Sequence, residues 1–240
     1  MTSIISTQAL TRTFGAFTAV NAITFEVHEG EIFGFLGANG AGKTTALKML
    51  TGLLTPSSGQ ATVAGFDVGR QPEQVKQRIG YMSQRFSLYE DLTIRENIRF
   101  FGGIYGLKVA DIKAKTGVLL QKLQLGKEAD QLVGALPLGW KQKLAFSVAL
   151  LHDPKIVFLD EPTSGVDPLT RRQFWDLIYA AADAGVTLMV TTHYMEEAEY
   201  CHRVSIMVDG KIEALDTPGA LKKAYQAKDM DEVFRKLVRG

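Results

Sequence analysis

The chain has a single cysteine, Cys201, among its 240 residues, which excludes a disulfide framework and a cysteine metal cluster. It also lacks an excess of either charge, with 27 Lys and Arg against 26 Asp and Glu and a net charge of +1. This balance argues against a dedicated nucleic-acid binder, which usually carries a clear basic excess. One cysteine also suits the reducing cytosol.

Long apolar runs are missing too. No stretch approaches the roughly 18 consecutive apolar residues of a membrane span. The N-terminus lacks the basic, apolar and small-residue order of a secretory signal. We therefore expect a cytosolic protein that reaches a membrane only through a partner. Its length suits one sizeable globular domain with a subdomain.

Short apolar segments alternate with stretches of helical periodicity, which is typical of an α/β fold with a largely parallel sheet. A period-two pattern predicts a half-buried strand, and continuous apolar runs predict buried strands. The segment "RVSIMVDGKIEALD" predicts a hairpin with its turn at Asp209 and Gly210. The other predicted strands are residues 22–28, the stretch "EIFGFLG", residues 155–161 and residues 186–193.

A glycine-rich loop follows the predicted strand "EIFGFL" and precedes the predicted helix "KTTALKMLTGL". Its sequence, "GANGAGKTT", fits the phosphate-binding pattern G-x-x-x-x-G-K-[ST] in the context that this pattern requires. The ammonium of Lys43 is expected to reach the β- and γ-phosphates, and the hydroxyl of Thr44 to bind Mg²⁺. Backbone N–H groups can turn inward without Cβ clashes at three positions: Gly37, Gly40 and Gly42. A structural turn before a helix is the alternative, and both flanks speak against it.

A pair of carboxylates ends the apolar run "IVFLDE". Asp160 is expected to hold the Mg²⁺ shell, and Glu161 to orient a water molecule for attack on the γ-phosphate. Acidic residues at a strand end can also serve solubility alone. The four apolar residues before the pair and "PTSGVD" after it favour the catalytic interpretation.

Together and in this order, the motifs resemble those of the ATP-binding subunits of ATP-binding cassette (ABC) transporters, over about residues 4–220. The resemblance implies a single ABC ATPase domain over residues 1–240. It has a P-loop NTPase core with a mostly parallel sheet, an N-terminal antiparallel β portion and a helical subdomain inserted at about residues 87–151. It also implies ATP and Mg²⁺ as ligands.

The same resemblance assigns several further residues. "TTHYMEEAE" carries the switch histidine, His193, which together with Lys43 and Glu161 forms the expected catalytic set. "YMSQ" ends in Gln84, a contact to nucleotide and Mg²⁺, and "SGVD" ends in Asp167, the D-loop aspartate. Phe14 would stack on adenine. The other loop residues expected at the nucleotide are Asn39, Ala41 and Thr45.

Each of these residues has an ordinary structural interpretation as well. An aromatic residue near a strand is more often core, a lone glutamine is usually on the surface, and His193 could cap a turn. The spacing of Phe14, Gln84 and His193 from the phosphate loop favours function. His202 beside Cys201 has no third ligand at a suitable spacing, so we assign both to structure.

The family's signature, "LSGGQ", is rewritten in this chain as "LPLGW". In family members this motif contacts the γ-phosphate held by a second subunit, head to tail. Pro137 loses both a hydroxyl and an N–H group, while Gly139 keeps its N–H. Leu138 and Trp140 replace a glycine and the glutamine. Three interpretations stay open: a subfamily variant, one half of an asymmetric pair, or a plain helix start beside an inactive site.

The resemblance implies an ATP-hydrolysing subunit that works as a homodimer or heterodimer and energises a separate membrane permease. Export is the implied direction, and the cytoplasmic face of the cell membrane is the implied location. The permease is expected to dock on the segment after Gln84, through five apolar residues: Leu88, Tyr89, Leu92, Ile94 and Ile98. The alternative is that these residues belong to the core of the helical subdomain.

The rival hypothesis is a soluble ABC protein, or a fragment of a tandem-cassette protein, that acts on ribosomes or DNA without a permease. The tail at residues 228–240 is amphipathic and is expected to pack on its own domain rather than on a partner. Its apolar side comprises Met230, Val233, Phe234, Leu237 and Val238.

Overall fold

The computed structural model describes residues 2–84 and 88–239. Its strands are β1 (Ser3–Phe14), β2 (Phe17–His28), β3 (Ile32–Leu36), β4 (Ser58–Val63), β5 (Phe66–Asp67), β6 (Ile79–Met82), β7 (Ile156–Asp160), β8 (Thr187–Thr192), β9 (Arg203–Val208) and β10 (Lys211–Asp216). Its α-helices are α1 (Lys43–Leu50), α2 (Pro72–Arg78), α3 (Ile94–Ile104), α4 (Val109–Lys122), α5 (Leu138–Ala149), α6 (Pro168–Asp183), α7 (Pro218–Ala224) and α8 (Met230–Arg239). Two short 3₁₀ helices lie at Val133–Ala135 and Met195–Tyr200.

The larger sheet has six strands in the order β10-β9-β3-β8-β7-β6. Neighbouring strands are parallel from β9 to β6, and β10 returns antiparallel to β9. Strands β3, β7 and β8 are buried along their whole length, as expected for parallel strands covered on both faces. The predicted α/β class with a mostly parallel sheet is confirmed, and so is the hairpin turn at Asp209 and Gly210, both at positive φ.

The smaller sheet is antiparallel and has the order β2-β1-β4-β5. Strand β2 begins at Phe17, five residues before the start that the sequence pattern predicts. The register between β1 and β2 shifts near Ala9 and Ala22, which lie at φ 48° and 51°. A bulge of this kind changes which residues face inward, so the period-two pattern is regular only after it.

The helical subdomain contains α3, α4 and α5, and residue 87 of its predicted range lies outside the described residues. Thr93 and Glu96 form a reciprocal capping box at the start of α3, which is why this helix begins at Ile94. Of the predicted docking residues, Leu88, Ile94 and Ile98 are buried in the core cluster. They are therefore packing residues, while Tyr89 lies exposed and Leu92 is half-buried.

Helix α8 packs against the 3₁₀ helix Met195–Tyr200. Met230 and Val233 are buried, Phe234 and Leu237 are partly covered, and Val238 is 53% exposed. The amphipathic tail thus covers part of its own domain. Among the described helices, none combines the length and apolar character needed to cross a bilayer.

We expect Met230→Ala to lower the free energy of unfolding by about 2–5 kcal/mol, because it leaves a cavity under α8. Val238→Ala, in the same helix but exposed, should change it by less than about 0.5 kcal/mol. Urea unfolding followed by circular dichroism measures both. Equal effects of the two substitutions would show that α8 does not pack as described.

Candidate nucleotide-binding site

The glycine-rich loop connects β3 to α1, at the edge of the sheet where the parallel strands end. Gly42 lies at φ 104°, and a Cβ there would overlap the carbonyl oxygen of Ala19. No described side chain caps α1, and its first turn contains no acidic residue. By contrast, α3, α6 and α7 begin with side-chain caps. The first N–H groups of α1 therefore remain available to an anion, which is the arrangement that a phosphate requires.

Lys43 is buried inside this loop. Its Nζ donates to the carbonyl oxygens of Gly37 at 2.7 Å and Ala38 at 3.1 Å, and lies 3.4 Å from Oε1 of Glu161. Desolvation lowers the pKa of Lys43, while the negative charges of Glu161 and Asp160 act in the opposite direction. The loop thus holds a cation at its centre, next to both predicted carboxylates.

Glu161 is the point where the predicted catalytic side chains meet. Its Oε2 accepts a hydrogen bond from Nε2 of Gln84 at 3.0 Å, and Nδ1 of His193 lies 3.1 Å from the same oxygen. The histidine contact lacks hydrogen-bond alignment, and Nδ1 is buried without a hydrogen bond to any described residue. Glu161 itself lies at φ 50°, and Thr191 holds its backbone N–H through Oγ1 at 2.9 Å.

The predicted Mg²⁺ ligands are only partly brought together. Oγ1 of Thr44 lies 3.3 Å from Oδ1 of Asp160, whereas the amide of Gln84 is bonded to Glu161. Burial raises the pKa of Asp160, and hydrogen bonds from Thr191 and Thr44 oppose this shift. A hydroxyl and a carboxylate oxygen side by side suit Mg²⁺, which takes its remaining ligands from phosphates and water. Within the described residues, no cluster of three His, Cys, Asp or Glu could hold a metal alone.

Thr191 is a site residue that the sequence analysis did not identify. Its hydroxyl donates to the Asp160 carboxylate at 2.7 Å and accepts from the backbone N–H of Glu161, so one side chain holds the first carboxylate and the backbone of the second. The threonines within the mostly apolar run before His193 were the available signal. Buried polar side chains in such a run need partners, which points to the neighbouring strand end.

The remaining nucleotide candidates lie around the loop. Asn39 and Gly40 are exposed, and Ala41 is buried. The N–H of Ala41 donates to the carbonyl oxygen of Ala38 at 3.1 Å, and its own carbonyl oxygen accepts from the N–H of Gly210 at 3.1 Å. Thr45 is half-buried in the first turn of α1. The Phe14 ring is 47% exposed at the end of β1. Its proposed contact with adenine stays a prediction.

The rewritten signature starts helix α5. Pro137 is the N-cap, and its carbonyl oxygen accepts a hydrogen bond from the N–H of Trp140 at 3.0 Å. Leu138 is largely exposed, and the Trp140 ring packs partly on the core under the ammonium of Lys143. The four residues 137–140 face the D-loop across a groove of about 340 Å³.

Gly139 has a packing role in this groove, because a Cβ there would overlap Cγ2 of Thr170 on α6. Asp167 caps the same helix: its Oδ1 accepts from the N–H of Thr170 at 3.0 Å and its Oδ2 from the hydroxyl at 2.6 Å. The hydroxyl bond and the N–H bond lower the pKa of Asp167. The signature residues and the D-loop therefore both contact the same residue, Thr170.

Fold and site together define a nucleotide-binding protein of the P-loop class. A comparison with family models matches residues 20–164 to the model described as "ABC transporter". The chain therefore belongs to the ABC transporter family, and it is the ATP-binding domain of such a transporter. The resemblance of the motifs is confirmed.

Relatives agree with this assignment. The chain is 48% identical over 242 residues to a probable multidrug ABC transporter ATP-binding protein, YbhF, of Escherichia coli (strain K12). That alignment covers 98% of this chain and 42% of the relative, so the chain spans less than half of its length. It is 38% identical to the Nod factor export ATP-binding protein I of Paraburkholderia xenovorans (strain LB400), covering 93% of this chain and 74% of the relative. A solved ATP-binding subunit of an ABC transporter superposes with a TM-score of 0.88 at 26% identity, covering 98% and 100% of the two chains.

We expect Gly139→Ala to destabilise the chain, although alanine forms helices better by about 0.8–1 kcal/mol. The overlap with Thr170 costs about 1–3 kcal/mol, which outweighs this gain. Adding Thr170→Ser should restore stability, because it removes Cγ2 and keeps the hydroxyl bonded to Asp167. The built Cβ lies 3.5 Å from that hydroxyl oxygen, an ordinary contact. Thermal unfolding of both single variants and the double variant tests this, and a double variant no better than Gly139→Ala would contradict it.

Proposed function

We propose that this domain binds Mg²⁺-ATP, hydrolyses it, and uses the cycle to drive export through a membrane permease. The observation that carries the proposal is the position of Glu161. Its carboxylate lies between the loop lysine, the Gln84 amide and the His193 imidazole. A strand-end carboxylate held in this way is a general base placed beside a phosphate site.

Binding follows from the phosphate loop. The free N–H groups at the start of α1 would receive the β-phosphate, and Lys43 would turn from Glu161 to the β- and γ-phosphates. The two oxygens of Thr44 and Asp160 would hold Mg²⁺ together with phosphate oxygens. When bound, the ion neutralises charge that develops on the γ-phosphate. The exposed Phe14 ring offers a surface for the base.

Hydrolysis follows from Glu161. Once Lys43 turns to phosphate, the carboxylate loses its ion-pair partner and is free to accept a proton from an attacking water. Gln84 donates a hydrogen bond to its Oε2, and Thr191 accepts one from its backbone N–H, so both contacts favour this orientation of the residue. His193 lies close enough to orient the same water or contact the γ-phosphate.

A second cassette completes the site in this proposal. The groove between residues 137–140 and the D-loop opens to solvent, as a surface that meets another subunit's nucleotide must. The second cassette is either another copy of this chain or a different domain, and the partial coverage of the Escherichia coli relative is compatible with both.

The permease contact is proposed on the helical subdomain. Tyr89, Phe100 and Phe101 form an aromatic cluster, with ring centroids of Tyr89 and Phe100 5.0 Å apart, edge to face. Tyr89 and Phe100 are exposed, and so is Ile104. Exposed aromatic groups at one spot suit an inserted helix of a membrane partner. Such a partner places the domain at the cytoplasmic face of the membrane.

Export rests on the relatives, whose names refer to multidrug transport and Nod factor export. These names support the permease-linked function over a soluble protein acting on ribosomes or DNA. The near-zero net charge likewise offers nothing that would attract nucleic acid.

Glu161→Gln should retain ATP binding and lower the turnover rate by about 10²–10⁴-fold, because an amide is a far poorer base. The variant should accumulate as an ATP-bound dimer in size-exclusion chromatography with light scattering. Glu199→Gln, an exposed residue paired with Lys222, is the matched control and should behave as wild type. Hydrolysis by Glu161→Gln at the wild-type rate would show that another group is the base.

Pro137→Ser combined with Leu138→Gly should strengthen ATP-dependent dimerisation if these residues face a partner's γ-phosphate. A hydrogen bond to a charged acceptor contributes about 1.5–3 kcal/mol, or about 10- to 100-fold in affinity for each site at which it forms. Serine also suits the N-cap position that Pro137 occupies. Analytical ultracentrifugation with the Glu161→Gln background measures the effect. No change in Kd would exclude the signature contact, and Pro137→Ser alone separates the hydroxyl from the glycine.

A further inference from the structure

A buried carboxylate lies four residues after the switch histidine. Glu197, in the 3₁₀ helix Met195–Tyr200, is fully buried. Its Oε1 accepts a hydrogen bond from the Thr163 hydroxyl at 2.6 Å, and Thr163 is two residues after Glu161. Its Oε2 has no hydrogen bond to a described residue. Glu197 therefore joins the segment after His193 to the segment after Glu161.

Arg171 on α6 supplies the opposing charge. Its Nε lies 3.7 Å from Oε1 of Glu197, and its Nη1 donates to Glu196 at 2.5 Å. The guanidinium carbon lies 4.0 Å from the ring centroid of Tyr194. The Tyr194 ring in turn lies 4.1 Å from the ring of His193. One guanidinium thus contacts three of the four residues that follow the histidine.

The position of Arg171 connects this contact to the D-loop. The residue lies one turn after Asp167, the N-cap of α6, and its N–H bonds to the Asp167 carbonyl oxygen at 2.9 Å. Asp167 lines the groove shared with the signature residues. Any contact that moves the start of α6 therefore moves the guanidinium that packs on Tyr194.

We propose that Arg171 is a positioning residue, which sets the orientation of the His193 ring through Tyr194 and the Glu196–Glu197 pair and links it to the D-loop. The inference rests on the proposed ATP hydrolysis. Reactions of this kind are sensitive to placement, and a misplacement of about 1 Å costs on the order of 10²-fold in rate. Arg171 contacts neither the phosphate loop nor Glu161 in the described contacts, so ATP affinity should not depend on it.

Arg171→Met should lower kcat by about 10- to 100-fold and leave the KM for ATP within about twofold of wild type. Arg171→Lys should recover part of kcat, because an ammonium keeps the charge without the planar fork. Arg172→Met is the matched control: it makes the same change one residue later, where the side chain is exposed and pairs with Asp176 in its own helix. This control should retain wild-type kcat.

Arg171→Met leaves Glu197 buried without its partner charge, which by itself lowers the stability of the fold. This effect must be separated from a change in the orientation of the His193 ring. Arg171→Met combined with Glu197→Gln removes both charges and keeps an acceptor for Thr163. The double variant should regain the melting temperature while kcat stays low. Recovery of kcat together with the melting temperature would overturn the inference, as would a kcat for Arg171→Met equal to wild type.

A spectroscopic arm is independent of turnover. The chain contains four histidines, and ¹⁵N-histidine NMR spectra resolve their rings, with His193 assigned through a His193→Ala variant. Arg171→Met should shift the His193 resonances, while Arg172→Met should not. Unshifted His193 signals in Arg171→Met would overturn the proposal even if turnover fell. A wild-type chain without ATP turnover would contradict the proposed function alone, and the NMR result would still decide the role of Arg171.

Discussion

The close approach of Lys43, Gln84 and His193 to the Glu161 carboxylate depends on the strand order of the larger sheet. Lys43 follows β3, Gln84 follows β6, His193 follows β8, and Glu161 follows β7. The strand order β3-β8-β7-β6 makes the ends of these four strands neighbours. Because the strands are parallel, their carboxyl ends lie on one edge. Burial of any one of these charged or polar groups alone would cost free energy, because the group would lose its contacts with water. Their mutual ion pairs and hydrogen bonds offset that cost.

The apolar strands below the site explain its rigidity. Strands β7 and β8 are buried from end to end. The backbone positions of Asp160, Glu161 and His193, at the ends of these strands, are therefore fixed by packing. Thr191 is one of three buried threonines of β8, and its hydroxyl contacts both carboxylate residues. Burial of Asp160 raises its pKa, and this hydroxyl opposes the shift. The site therefore depends on a residue that no phosphate-binding pattern contains.

The contact with helix α6 explains why the rewritten signature keeps a glycine at position 139. Gly139 permits the close approach of Thr170, and Thr170 is held by Asp167, so the glycine is required by packing whatever it does for nucleotide. Pro137 and Leu138 leave a helix start that is well formed without the family's serine and glycine. Loss of the motif's polar groups is thus compatible with an intact fold, and in the proposed function its consequence would fall on the contact with a second cassette.

The phosphate loop, the carboxylate pair and the buried strands were predictable from sequence, because each depends on local spacing and on runs of apolar residues. The family followed from the same motifs. Three features needed the tertiary structure: the bulges that shift β2, the burial of Leu88, Ile94 and Ile98, and the Arg171–Glu197 pair. Residues 171 and 197 are far apart in the chain, and a bulge or a buried face depends on neighbours from other segments. No pattern along one stretch records such contacts, so only the folded chain decides them.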